Sequence, residues 1–163
     1  MPVWQSCPMI AQQFALPRGV LGRIVGTVMA RANAALTRRV VGALRLKGDE
    51  TVLEIGPGPG TGLALLPLPP GSCDAVCAVN NVQLWQPLPE SLARVFDVLT
   101  PGGALALGVT ERAVLPGGGS VGRTYDSLLV PDLERAGFVD LAATWERGGN
   151  GHELLITARR SAA

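Results

Sequence analysis

The chain has few aromatic residues, one histidine, almost no net charge and no long apolar run. Each shortage removes a class of function. With aromatics at 4%, there are too few rings for a platform on which the bases of single-stranded nucleic acid could stack. A formal net charge of +1 gives no broad field to attract nucleic acid or an anionic membrane, so no nucleic-acid partner is expected. His152 is the single histidine, and the three cysteines form no Cys-x-x-Cys pair. That falls short of the ligand set a transition metal needs, and no metal site is expected. Cys7, Cys73 and Cys77 are odd in number, which suits reduced thiols and a cytoplasmic setting better than a disulfide framework. Cys73 and Cys77 lie in one apolar, strand-like run, where even spacing would put both on one face as core thiols. No stretch of about 18 apolar residues marks a transmembrane helix. Residues 1–15 lack the basic start and unbroken apolar stretch of a signal peptide.

What the chain does have is glycine and proline, clustered at turns between short apolar runs. Its 163 residues, 47% of them hydrophobic, suit one globular unit with a real core. Residues 1–46 read as a leader with helices packed on that core, and residues 47–163 as the main domain. Leu21, Ile24, Val25, Val28, Met29, Ala32, Leu36 and Val40 follow helical spacing. Gly22, Gly26 and Gly42 weaken the pattern, so two helices or one broken helix are expected over Val20–Leu44. Its basic residues would also let it lie on a membrane surface, but packing on its own domain is the simpler reading.

Farther along, Thr51–Ile55 reads as a short strand, Gly56–Gly62 as a glycine loop, and Leu63–Leu66 as the start of a helix stopped by Pro67. Cys73–Val79 is a second buried strand. A helix from Pro87 or Pro89 runs to Leu99, with Leu92, Val95, Phe96 and Leu99 on one face. Thr100–Gly103 is a tight turn, and Ala104–Val109 a third strand. Leu115–Gly122 is a loop, and Tyr125–Ala136 a helix closed by Gly137. Val139–Glu146 and Glu153–Arg160 alternate as an antiparallel pair should. Strand and helix alternate through the middle and a hairpin follows. That order predicts an α/β sheet, mainly parallel, with an antiparallel C-terminal hairpin and N-terminal helices.

The candidate chemistry lies in Glu54-Ile55-Gly56-Pro57-Gly58-Pro59-Gly60, where a strand hands over to a helix. Glycines let a ligand approach the backbone, and free N–H groups at a helix start attract an anion. A bare turn rich in glycine and proline would look the same. A P-loop needs a lysine that is absent here. A dinucleotide fingerprint needs a third glycine where Thr61 stands, and an acid at the end of the next strand. Asp74 has roughly that spacing but opens its strand. A nicotinamide-binding fragment is therefore disfavoured. Glu54, just before the loop, is an acid that a cationic amino-acid cofactor would favour.

Taken in order, four blocks resemble class I S-adenosylmethionine-dependent methyltransferases of the type 11-like kind. VLEIGPGPG resembles the first motif and PLPPGSCDAVCAVNNVQLW the fourth-strand block. LARVFDVLTPGGALALGV resembles the helix, turn and fifth strand, and LERAGFVDL the entry to the last hairpin. LPRGVLGRIVGTVMARANAALTRRVV is similar to the leader helices of one bacterial branch. The resemblance covers nearly the whole chain and implies a Rossmann-like transferase fold. It implies methylation with S-adenosyl-L-methionine as cofactor and an unidentified small-molecule or lipid-like acceptor as substrate. It also implies roles. Gly56, Pro57, Gly58 and Gly60 would bring backbone to the methionine part, and Glu54 would help place its ammonium. Asn80 and Asn81 would face the methyl donor or substrate, unless they only form a turn. Trp85 would wall the pocket or sit in the core.

The chain departs from the family between Leu66 and Pro67. The second and third strands, with the acids that hold ribose and adenine, have no counterpart. The remainder can still close. A helix over Gly60–Leu66 covers about 10 Å, and extended Pro67–Gly71 about 15 Å more, enough for a right-handed return past a strand about 20 Å long. The first strand would then become a sheet edge, open to cover by the leader or by a second copy of the chain. The loss also motivates an alternative function, an inactive methyltransferase-like scaffold or interaction module. No catalytic residue stands out: His152 reads as structural, and Glu111 stands near the top of the third strand without visible support.

Overall fold

The computed structural model describes residues 19–56, 68–115, 118–149 and 151–162. The chain divides into two compact units, 1–34 and 35–163. The element order is α1 (Gly19–Ala43), β1 (Val52–Ile55), β2 (Cys73–Val79), α2 (Leu88–Val98), β3 (Leu99–Thr110), α3 (Asp126–Arg135), β4 (Phe138–Gly148) and β5 (Gly151–Arg160). A single 3-10 turn, Val82–Leu84, follows β2. Helix α1 is continuous, not broken at its glycines. Its last turns, within the larger unit, bury Leu36 and Val40, and Leu44 is buried just past its end. Burial of a leucine or valine side chain contributes about 1.5–3 kcal/mol, more than the cost of about 1 kcal/mol for a helical glycine.

The strands form one sheet in the order β1-β2-β3-β5-β4. β1, β2 and β3 are parallel, and β5 runs antiparallel to both β3 and β4. The predicted α/β architecture with its antiparallel hairpin is what forms. Among the described residues β1 pairs with β2 alone, so it is an edge as expected.

Two local readings need correction. Thr100–Gly103 is not a turn ahead of the third strand but lies inside β3, which already starts at Leu99. Cys73 pairs with Leu99 and Ala75 with Ala104, so Thr100–Gly103 bulges out opposite Asp74. The same break in register separates the two cysteines. Both are buried free thiols, but Cys73 packs in one core cluster and Cys77 in the other.

Those clusters differ in side-chain size. One brings Leu92, Val95 and Val98 of α2 and Leu129 and Leu133 of α3 onto Val76, Leu105, Leu107 and Ile156 of the sheet. The other packs Leu36, Val40 and Leu44 onto Ala75, Cys77 and Ala106. Small residues there let α1 come close to the sheet. At Gly108 a Cβ would stand 2.5 Å from Val40 Cγ2, so any larger residue would push the helix away. An ion pair accompanies this contact. Arg39 reaches Glu153 at 3.1 Å and Glu146 at 2.9 Å. The two glutamates stand directly opposite each other on β5 and β4, a repulsive arrangement that the guanidinium neutralises.

Candidate functional site

Parallel β1, β2 and β3 end on the same side of the sheet, which is where open α/β sheets bind ligands. A row of polar residues crosses that side. Asn81, 1% exposed, donates from Nδ2 to the carbonyls of Ile55 at 2.6 Å and Gly56 at 2.5 Å. Its Oδ1 accepts the Trp85 indole N–H at 2.8 Å. Both amide hydrogens and the oxygen are thus engaged, and Asn81 acts on the first residue of the glycine loop through the backbone. Trp85, at 2% exposure, is part of the core.

Asn80 adopts φ 52°, a left-handed conformation that asparagine tolerates better than most residues. The chain turns there, and its amide N–H donates to the Gly108 carbonyl at 2.7 Å. Its Oδ1 accepts the Thr110 N–H, also at 2.7 Å. Asn80 and Asn81 therefore tie the end of β2 to β3 on one side and to β1 on the other.

Glu54 is exposed on β1. Burial, with the nearby Glu54 charge adding to it, pushes the Cys77 thiol above its ordinary range, which leaves it a core thiol and not a nucleophile. No described atom beyond its chain neighbours lies within 4 Å of a Cβ placed on Gly56. Pro57, Gly58 and Gly60, the rest of the predicted loop, lie outside the described residues, as do Leu63–Leu66 and Cys7.

Beyond Asn80 the row continues through Glu111 and His152. The Glu111 N–H donates to the His152 carbonyl at 2.9 Å. The His152 N–H donates back to Glu111 Oε1 at 3.1 Å, and His152 Nδ1 lies 3.0 Å from Glu111 Oε2. The backbone N–H of His152, then its ring, hold the Glu111 carboxyl below the usual carboxylate range, with Arg112 adding to the effect. Gly151 makes room for this contact: at φ 108° its Cβ would stand 2.5 Å from Glu111 Oε1. The sequence offers no local sign of the pairing, because the partners are 41 residues apart and meet only through the β3–β5 register.

Asp74 sits at the opposite end of the sheet. Its carboxylate accepts the Thr51 N–H at 2.9 Å at the start of β1. It cannot serve as the strand-end acid of a dinucleotide site. A cleft of about 270 Å³ lined by Arg45, Asp140 and Arg159 also borders Ala104, at the amino-terminal part of β3. It too lies away from the polar row.

No family model matches the chain. It is 22% identical to an uncharacterized methyltransferase of Bacillus subtilis, YdaC, over 85% of this chain and 99% of that protein. That match runs over 180 residues yet takes up 85% of this shorter chain, so YdaC is longer within the matched stretch, in keeping with the absent strands. Among solved structures, the cyclase SpnF matches with a TM-score of 0.62 at 15% identity, over 79% of this chain and 82% of that one. A SAM-dependent methyltransferase of Thermotoga maritima, described as a possible histamine N-methyltransferase, matches with a TM-score of 0.52 at 16% identity, over 76% and 87%. The chain has the class I methyltransferase fold. One of these matches is named as a cyclase, so the fold alone does not fix the reaction.

Proposed function

We propose that the chain is an S-adenosyl-L-methionine-dependent methyltransferase acting on a small-molecule or lipid-like acceptor. The observation that carries this reading is the Asn81 amide holding the Ile55 and Gly56 carbonyls. It fixes the backbone at the end of β1, and no described atom beyond the chain neighbours crowds Gly56. The residues present fit the amino-acid end of the cofactor. Backbone of Gly56, Pro57, Gly58 and Gly60 would meet its carboxylate, and Glu54 its ammonium. When bound, S-adenosyl-L-methionine supplies a methyl group on a positively charged sulfur. The donor is already activated, so the main work of the chain is positioning.

The adenosine end has fewer partners. Among the described residues no strand lies beyond β1 to present an acid to the ribose. Ordinary hydrogen bonds contribute about 0.5–1.5 kcal/mol each, and each 1.4 kcal/mol is tenfold in affinity, so weaker binding than in a full-length relative is expected. The same feature favours the alternative, an inactive scaffold or interaction module. Isothermal titration with S-adenosylhomocysteine separates the two. Micromolar binding supports the enzyme, and no binding at millimolar ligand refutes it. The reading also includes a cytoplasmic setting, supported by the free thiols Cys73 and Cys77, and pairing of copies through the open edge of β1. Light scattering that finds only monomer at high concentration would refute the pairing.

A further inference from the structure

The polar row at the carboxyl end of the sheet runs without a gap from β1 to β5. Asn81 holds Ile55 and Gly56, Asn80 holds Thr110, and Glu111, the next residue, holds His152. Three strand spacings of about 4.8 Å put β5 about 14 Å from β1. A donor bound over β1 and β2 would leave room for an acceptor beside β3 and β5. His152 stands at the start of β5, at this end of the sheet, and its side chain is 35% exposed.

An ionised carboxylate only accepts hydrogen bonds. Facing Glu111 Oε2, Nδ1 therefore carries the ring proton, and the lone pair is on Nε2. Among the described residues Nε2 has no hydrogen-bond partner. A purely structural clasp would need only the backbone bonds between Glu111 and His152. The additional ring contact, with Gly151 making space for the carboxylate, holds an imidazole whose other ring nitrogen is left without a protein partner among the described residues. The charged groups around it are Glu111 and Arg112 after β3, Arg147 directly opposite on β4, and Glu153 and Glu146 next along the hairpin.

We propose that His152, oriented by Glu111, is the general base that takes the proton from a phenolic or enolic hydroxyl acceptor. This rests on the methyltransferase reading. A carboxylate acceptor needs no base, and an amine can lose its proton to water after transfer. A phenol must lose its proton as it reacts, and a positioned imidazole is a suitable base for that. The acceptor oxygen forms a bond to the methyl carbon. The carbon–sulfur bond breaks with its electron pair kept on sulfur, giving S-adenosylhomocysteine. The hydroxyl proton moves to His152 Nε2, where the Glu111 carboxylate stabilises the imidazolium, and then leaves to solvent from the exposed ring. His152 is the catalytic residue and Glu111 a positioning residue.

The test uses the full chain with S-adenosylmethionine and two acceptor probes, resorcinol and para-nitrophenol, in mildly alkaline buffer. Resorcinol needs a base there, whereas para-nitrophenol is largely ionised. His152→Gln should lower resorcinol-dependent release of S-adenosylhomocysteine by about 100-fold or more. It should change the para-nitrophenol rate far less, and S-adenosylhomocysteine affinity not at all. Nitrogen NMR should show the Nδ1–H tautomer in the wild-type chain and a shift toward Nε2–H in Glu111→Ala. If the cofactor product binds but resorcinol supports no turnover, or His152→Gln slows both probes equally or neither, the general base is wrong while the methyltransferase reading stands. A wild-type Nε2–H tautomer overturns it as well. Failure of S-adenosylhomocysteine to bind removes both.

Discussion

Two polar pairs stand at the same end of the sheet and are used in opposite ways. Asn80 and Asn81 turn toward the backbone: Asn81 is sealed from solvent and has every amide atom engaged with Ile55, Gly56 and Trp85. Glu111 and His152 also hold each other, but the imidazole is a third exposed and, among the described residues, Nε2 has no hydrogen-bond partner. The first pair builds the platform and the second leaves a reactive group on it. A buried amide with all its bonds made is costly to remove, because each orphaned partner loses about 1–3 kcal/mol. An exposed ring is cheap to remove, and its loss shows in chemistry instead.

That contrast can be broken at several points. The largest effect is expected at the ion pair beneath His152. Arg39→Met would leave Glu153, 1% exposed, without its cation and cost about 3–5 kcal/mol. Urea unfolding would measure it, and the double variant Arg39→Met/Glu153→Leu should recover most of the loss. A cost below about 1 kcal/mol would mean that water reaches Glu153 after all. Next comes the contrast itself. Asn81→Ala should cost about 3 kcal/mol, whereas His152→Gln should stay within about 0.5 kcal/mol, as exposed substitutions usually do. Equal losses for the two would make the Glu111–His152 pair a structural clasp.

The smallest effects are those of pH. Burial, with Asp132 adding to it, pushes the Tyr125 phenol up to about 12. Its contribution to stability is complete below the ordinary tyrosine value near 10 and is lost as pH rises from there toward 12. Tyr125 is the single tyrosine, so an ultraviolet titration reads it directly. A midpoint near pH 10 would show that the side chain is hydrated. Glu111 has the opposite sign. Its lowered carboxyl stabilises the β3–β5 end above the ordinary glutamate value near 4.3, and that stability is lost as pH falls through and below this value. The protection of the His152 amide, measured against its intrinsic exchange rate at each pH, should therefore fall in acid.

Most of the fold could be read along the chain because its signals are local. The apolar run Cys73–Val79 is β2 as expected. Of the helix face read as Leu92, Val95, Phe96 and Leu99, Leu92 and Val95 are buried in α2 and Phe96 is partly buried, whereas Leu99 is buried as the first residue of β3. Pro and Gly around Thr100–Gly103 marked an irregularity but not its kind. The four residues form a bulge within β3 because β2 offers them no register partners beyond Asp74. The separation of Cys73 from Cys77 was invisible for the same reason, since period-two spacing assumes an unbroken ladder.

Asn80, Asn81 and the start of the glycine loop could be named from the motif. Their partners could not, because a side-chain amide in sequence carries no sign of which carbonyl it will face. The chain alone determined the order of the described strands and helices and the sheet edge at β1, since periodicity, turn residues and missing segments are properties of neighbours in sequence. Only the tertiary structure decided that Glu111 meets His152 and that Arg39 joins Glu146 to Glu153. Those contacts depend on β5 lying between β3 and β4, and hydrogen bonds are short-ranged: groups far apart in sequence acquire chemistry together only once the sheet has set their register.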